Sequence, residues 1–348
     1  MAAAGYQPVY ALRRGGYPES LHFGAIVVVS ASGELLAAFG DAQLSTFLRS
    51  AAKPFQALPF LLAGGVEHYG LSVQELALIC SSHSGTDEHM TAVAKLQQKV
   101  GIPESQLQCG VHPPYHAATA ERMKKSGQTP TPNCNNCSGK HTGMLAYAKL
   151  RGWPLDSYLE PSHPLQQEIL ALFADLAGLP SSQLFVGTDG CSAPIWAAPL
   201  YNTALAYAKL IDPTGLPAAQ QQACEQVRAA MIAFPDMVAG PQRFDTALMQ
   251  AAAGRILSKG GAEGFQAFGL RPGALAAGSP AMGIALKIAD GDARTWVCHA
   301  VAVEVLRQLG ALSAQELVAL AAFGPGRTIS NWRGTPVGQG EPVFKLQS

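Results

Sequence analysis

Charge is scarce in this sequence and leans to neither sign. Only 14% of its 348 residues are Asp, Glu, Lys or Arg, and 24 basic residues face 24 acidic ones. No basic stripe is available to follow a phosphate backbone, so a nucleic-acid partner is not expected, and no polybasic tail marks a membrane surface. Long apolar runs are missing as well. The longest near the start covers residues 25–29, far below the roughly 20 residues that span a bilayer. Residues 1–5 lack the basic and apolar regions of a secretory signal. The cysteines, at 80, 109, 134, 137, 191, 224 and 298, form an odd set in a long chain. They do not read as a disulfide framework. They predict a reducing, cytoplasmic setting, with thiols kept for packing, metal or catalysis.

What is present is ample core material, at 48% hydrophobic residues, with no repeat, linker or low-complexity segment to divide it. Residues 25–30 and 34–39 are short apolar or β-branched runs around Ser32-Gly33 and predict a β-hairpin. A helix is expected over 50–62, where Pro54 falls in the first turn that tolerates proline. Residues 73–80 fit a helix or a strand. Residues 86–100 put Met90, Val93 and Leu96 on one helical face. The stretch 109–137, rich in Pro, Gly, His and Cys, reads as a long loop. Further helices are expected at 142–150, 164–177, 193–210, 216–233, 246–253, 293–309 and 313–322, and strands at 265–268 and 281–288. Strands toward both ends with helices between them predict an α+β, or mixed α/β, fold.

Chemistry concentrates in Asn133-Cys134-Asn135-Asn136-Cys137-Ser138-Gly139-Lys140-His141. Two thiols, an amine and an imidazole beside a Ser-Gly predict a sharp bend and an active or metal site rather than a core helix. Cys134 and Cys137 make a CxxC, but no second pair exists, which excludes a four-cysteine ribbon. Cys191, in Gly187-Thr188-Asp189-Gly190-Cys191, is the best distant partner; with Cys137 and Lys140 it gives a three-donor zinc candidate. Each cysteine taken singly reads as a small buried apolar residue.

Ser50-Ala51-Ala52-Lys53 is a Ser-x-x-Lys. At helical spacing i and i+3 share a face, so a lysine could take the serine proton. Read alone, an N-cap serine and a surface lysine explain it as well. Cys80-Ser81-Ser82-His83-Ser84-Gly85 follows an apolar run and reads as a site near a turn or as a capped turn before the next helix. Ser258-Lys259-Gly260-Gly261-Ala262-Glu263-Gly264 is a glycine-rich loop with one lysine but lacks the phosphate-loop order. His112, His116 and His163 read as structural hydrogen-bonders.

In this order the motifs resemble the rhizobial-type L-asparaginases, a family distinct from the bacterial-type and plant-type enzymes. The likeness covers nearly the whole chain. It runs from Arg14-Gly15 and Glu19-Ser20-x-His22-x-Gly24 through Arg49-Ser50-x-x-Lys53-Pro54 and Ser82-His83-Ser84-Gly85. It continues through the string 135–141, Asp189-Gly190-Cys191 and Arg243-Phe244-Asp245-Thr246 to Lys259-x-Gly261-Ala262-Glu263-Gly264 and 285–291. The resemblance implies two serine–lysine tandems, Ser50 with Lys53 and Ser82 with Lys259, and a zinc site of Cys137, Lys140 and Cys191. It implies a fold similar to serine β-lactamases and penicillin-binding proteins, and a homodimer. The expected unit is a single one over residues 1–348, with two subdomains and the active site between them.

The expected reaction is hydrolysis of L-asparagine to L-aspartate and ammonia. Ser50 is expected as the nucleophile with Lys53 as its base, and Ser82 as the alternative. Arg49 suits the substrate carboxylate, with Asp189, Glu263 and His141 as further substrate-binding candidates. Two other classes remain open. A Ser-x-x-Lys hydrolase of peptides or β-lactams would carry Ser-Asp-Asn and Lys-Thr-Gly motifs, which are absent. A non-catalytic zinc or amino-acid-binding protein would not need both serine–lysine pairs.

Overall fold

The computed structural model describes residues 5–347. It divides into two compact units, each drawn from separate stretches of chain. The first holds the described residues up to Ala51, then Ala198–Asp212, and the residues from Ala247 on. The second holds Ala52–Ala197 and Pro213–Thr246. Secondary structure is mixed α/β.

The first unit is built on an antiparallel sheet of eight strands. Its order is Arg327–Ser330, Pro336–Pro342, Gln7–Arg14, Tyr17–Ser30, Met282–Ile288, Phe265–Leu270 and Ile256–Gly261, with Leu35–Phe39 also pairing with Tyr17–Ser30. The expected hairpin around Ser32-Gly33 is there, in the register Ile26↔Phe39 through Val29↔Leu35. Residues 25–29 are at most 1% exposed. Neighbouring strand residues point to opposite faces, so both faces of this strand are covered. The helices Leu200–Ile211 and Val297–Gln308 pack against the sheet. Glycine lets the first of these come close: a Cβ built at Gly283 would lie 1.7 Å from the Ala204 carbonyl oxygen.

Two expectations fail here. Residues 193–210 are not one helix but a strand, Pro194–Pro199, followed by the helix Leu200–Ile211. Pro199 lacks an N–H and stands just outside the helix, while Ile195 and Trp196 favour the strand. The glycine-rich segment around Lys259 is not a mobile loop. It is a strand, Ile256–Gly261, paired in register with Phe265–Leu270. Only 262–264 turn, with Glu263 and Gly264 both at positive φ.

The second unit is mostly helical. Lys53–Leu62 follows a short 3-10 turn, Arg49–Ala52, and Pro54 stands in its first turn. Residues 53–61 are all buried, the mark of a helix enclosed on every side. Residues 73–80 settle as a helix, Val73–Ile79, with a Ser72/Glu75 capping box. Thr86 caps Asp87–Val100. The stretch 109–137 is largely irregular but contains a helix, Ala117–Lys125. The chemical string holds the largest surprise: residues 138–141 open a helix, Ser138–Leu150, whose first eleven residues are buried. Gly139 does not bend the chain. A Cβ there would lie 2.3 Å from the Leu78 carbonyl oxygen, and one at Gly143 would lie 2.7 Å from Ile79. Both glycines let this helix seat against Val73–Ile79. Among the described residues no helix is long and apolar enough to cross a membrane.

Candidate active site

The second unit gathers most of the reactive side chains. Lys53 starts a core helix and is 1% exposed; its Nζ donates to Ser82 Oγ at 2.7 Å. Lys53 was expected to serve Ser50, and Lys259 to serve Ser82. Lys53 is in hydrogen-bond contact with Ser82. Ser82 follows the helix Val73–Ile79, and its N–H is held by the Val238 carbonyl at 2.8 Å.

Cys137, Lys140 and Cys191 meet close by. Asn135 fixes the start of their helix: its Oδ1 accepts from Cys137 N at 2.8 Å, and its Nδ2 donates to the Cys109 carbonyl at 2.8 Å. Helical spacing turns Cys137 and Lys140 to one side. Lys140 Nζ donates to Cys191 Sγ at 2.9 Å, and Cys191 Sγ donates to Asp189 Oδ2 at 3.5 Å. All seven cysteines are buried, and none is joined in a disulfide.

Charge in this cluster is strongly coupled. A hydrogen bond from Cys191 holds the Cys137 thiol well below its usual range. Burial opposes this, and the positive charges of Lys53 and Lys140 reinforce it. The same thiol pair pushes Cys191 upward, helped by burial. Burial works against the Lys140 ammonium, but Cys191, Cys137 and Asp189 outweigh it and keep its pKa raised. These shifts favour a Cys137 thiolate beside the Lys140 ammonium.

His141, a substrate-binding candidate, is fully enclosed. Its Nδ1 lies 2.6 Å from the Tyr158 hydroxyl, which accepts from Gln108 N at 3.0 Å. Burial is the main reason its pKa falls to about 4. Tyr158 itself is 0% exposed and belongs to no motif; nothing in the sequence around it signals a site. His112, His116 and His163 are hydrogen-bonded as structural residues. His112 Nε2 accepts from Asn136 N at 3.1 Å, His116 Nδ1 meets Thr119 Oγ1 at 2.8 Å, and His163 Nδ1 accepts from Leu165 N at 3.1 Å.

The first unit carries the other candidates. Arg49 and Ser50 are half-buried on the 3-10 turn, and Arg49 adopts φ 51°, a conformation uncommon outside glycine. Lys259 is 1% exposed, and its Nζ donates to the Gly260 carbonyl at 3.0 Å. A Cβ at Gly261 would lie 2.5 Å from the Leu48 carbonyl oxygen, so the end of this strand rests on the segment that leads into Arg49. Glu263, in the following turn, comes within 3.9 Å of Arg49.

The family model for L-asparaginase II matches residues 10–342. This chain belongs to that family. It is thereby an amidohydrolase, consistent with a buried hydroxyl held by a lysine. Solved structures similar to it share little sequence. Mglu in its native form is 14% identical, over 84% of this chain and 67% of that one, with a TM-score of 0.43. The Bacillus subtilis glutaminase YbgJ, in covalent complex with 5-oxo-L-norleucine, is 11% identical, over 77% of this chain and 80% of that one, with a TM-score of 0.36. No curated protein matches the chain.

Among the described residues no three His, Cys, Asp or Glu side chains gather as a metal cluster. The implied donor set includes the lysine amine as its third member. Two thiols and an amine, all at most 4% exposed, are a donor set that suits zinc. Cys137, Lys140 and Cys191 therefore fit the group that the resemblance implied.

Proposed function

We propose that this chain hydrolyses L-asparagine to L-aspartate and ammonia. The observation that carries the chemistry is Lys53 Nζ at 2.7 Å from the buried Ser82 hydroxyl. Once its amine is neutral, Lys53 takes the Ser82 proton as Oγ bonds to the side-chain amide carbon. The proton then passes to the departing nitrogen, which leaves as ammonia. Water attacks the resulting ester, giving aspartate and returning the proton to Ser82. This contact moves the favoured nucleophile from Ser50 to Ser82. Ser50 stays as the second reading because the strained Arg49 immediately before it is the kind of backbone feature that collects at functional sites.

Arg49 is assigned to the substrate carboxylate, Asp189 and Glu263 to its ammonium group, and Lys259 to proton handling; these roles rest on the resemblance. Zinc held by Cys137, Lys140 and Cys191 would supply fixed positive charge and order where they meet. The chain is proposed to work as a cytoplasmic homodimer with a serine-β-lactamase-like fold. The test is ammonia release from L-asparagine and L-glutamine, with the covalent adduct of a diazo-ketone analogue of asparagine mapped by mass spectrometry. Turnover of asparagine well above glutamine and an adduct on Ser82 are expected. An adduct on Ser50 would restore the other serine. Equal turnover of the two amides would overturn the specificity, and none in folded protein would overturn the enzyme.

A further inference from the structure

Two imidazoles beside Ser82 take no part in the proton path above, yet both are enclosed. His83 is 0% exposed and His89 1%. Their rings stack, with centroids 5.0 Å apart and planes 16° from parallel. Neither is an ordinary core filler, because every ring nitrogen is used. Gly85 N–H donates to His83 Nδ1 at 3.1 Å, so His83 carries its proton on Nε2, which lies 2.8 Å from Ser138 Oγ. Ser138 passes its own proton toward the Asn133 carbonyl at 3.4 Å. His89 repeats the pattern. Thr86 N–H reaches its Nδ1 at 3.3 Å, the Thr86 hydroxyl stands 2.6 Å from the same atom, and Nε2 lies 2.8 Å from the Asp236 carbonyl. A carbonyl only accepts, so the proton of His89 is also on Nε2.

We propose that the His83–His89 stack positions Ser82, by locking its turn between the start of the Cys137–Lys140 helix and the segment 236–239. Backbone contacts run along the same lines. Ser82 N–H reaches the Val238 carbonyl at 2.8 Å, His83 N–H the Asn136 carbonyl at 3.2 Å, and Ser84 Oγ the Ala239 carbonyl at 2.8 Å. Gly85, at φ 68°, turns the chain between the two rings. A Cβ there would lie 3.0 Å from the Cys134 carbonyl oxygen, so the turn itself is closely confined. The side chain of His83 thus ties the serine turn to the helix that carries the thiol and amine, and that of His89 ties it to the opposite segment. The two are positioning residues. They reach the reaction through the place they give Ser82 Oγ against Lys53 Nζ.

This inference rests on the reading of Ser82 as a reacting hydroxyl in an asparaginase. It is tested by steady-state kinetics on L-asparagine with His83→Leu, His83→Gln, Ser138→Ala and the double variant His83→Leu/Ser138→Ala. Tm and labelling of Ser82 by the diazo-ketone analogue are measured beside them. A displacement of about 1 Å in a reacting group lowers a rate by about 100-fold. His83→Leu should therefore lose kcat and labelling rate by about that factor, with KM within about threefold. His83→Gln keeps an N–H donor in reach of Ser138 and should recover at least a tenth of wild-type kcat. The double variant should be no slower than His83→Leu, since the two groups form one link. Unchanged kcat in folded His83→Leu, or losses that simply add in the double variant, would overturn the proposal. If His83→Leu does not fold, Ser138→Ala decides, with unchanged kcat and labelling counting against it. Failure of the underlying reading shows separately, as a wild-type protein without turnover or Ser82 labelling.

Discussion

Acid should destabilise this protein well before its carboxylates titrate, because its buried histidines are folded in the neutral form. His141 permits the effect to be sized. Its folded pKa lies near 4, chiefly through burial, against an ordinary value of 6.5. Between those values the unfolded chain binds a proton that the folded chain refuses, so stability falls as the pH falls. The contribution is complete above pH 6.5 and is lost progressively down to about pH 4. At about 1.36 kcal/mol per pH unit, that interval amounts to about 3 kcal/mol, a large share of the roughly 5–15 kcal/mol of a typical domain. His83 and His89 are shifted in the same direction, first by burial, and steepen the same limb. The assay is urea unfolding of metal-free wild type and His141→Asn at pH 7.0, 5.5 and 4.5. Asparagine keeps an acceptor near the Tyr158 hydroxyl but cannot take up the proton. The wild type should lose about 2–3 kcal/mol more than the variant between pH 7.0 and 4.5. Parallel pH dependence in the two proteins would refute the claim that His141 is held neutral by the fold.

Two other expectations follow from the same geometry. Zinc added to the metal-free protein at neutral pH should release protons, from Lys140 and from the Cys137–Cys191 thiol pair, because metal ligands must deprotonate. Calorimetry in buffers of different ionisation enthalpy measures this, and no proton release, or equal zinc in Cys191→Ala, would remove the site. Gly283→Ala drives a methyl group to 1.7 Å from the Ala204 carbonyl and should cost about 3 kcal/mol or more, while Gly326→Ala, whose nearest neighbour is 3.6 Å away, should stay within about 0.5 kcal/mol. Equal melting temperatures for the two variants would show that the helix Leu200–Ile211 does not press on the sheet as described.

Much of the fold was legible where a pattern was local. The hairpin of 25–39 and the helices at 86–100 and 164–177 announce themselves through turn residues, caps and periodicity. What escaped depends on distant partners. Gln7–Arg14 pairs with Pro336–Pro342 across nearly the whole chain, and no local signal marks either strand. The segment 138–148 was misread for a related reason. Its glycines and polar residues argue against a core helix until the backbone of Leu78 is placed beside Gly139. The glycine run after Lys259 likewise looks flexible in isolation but ends a paired strand. At the site, the string 133–141 drew attention to Cys137 and Lys140, which the fold brings together with Cys191. The contact of Lys53 with Ser82 joins residues 29 apart in sequence and follows from no local spacing, and Tyr158 behind His141 carries no motif at all.

The scarcity of charge in this sequence sharpens what its buried lysines mean. Lys53 and Lys259 are each 1% exposed and Lys140 is 3% exposed, in a chain with only 24 basic residues. Removing an ammonium from water is expensive unless it is paired, and a fold selected for stability alone would fill such positions with apolar side chains. The observed partners are also unusual for a structural ion pair. Lys53 meets a serine hydroxyl and Lys140 a thiol, both groups whose protons can be taken. Partners that give up protons, at two enclosed lysines in one unit, are what the proposed proton transfer and ligand binding would require.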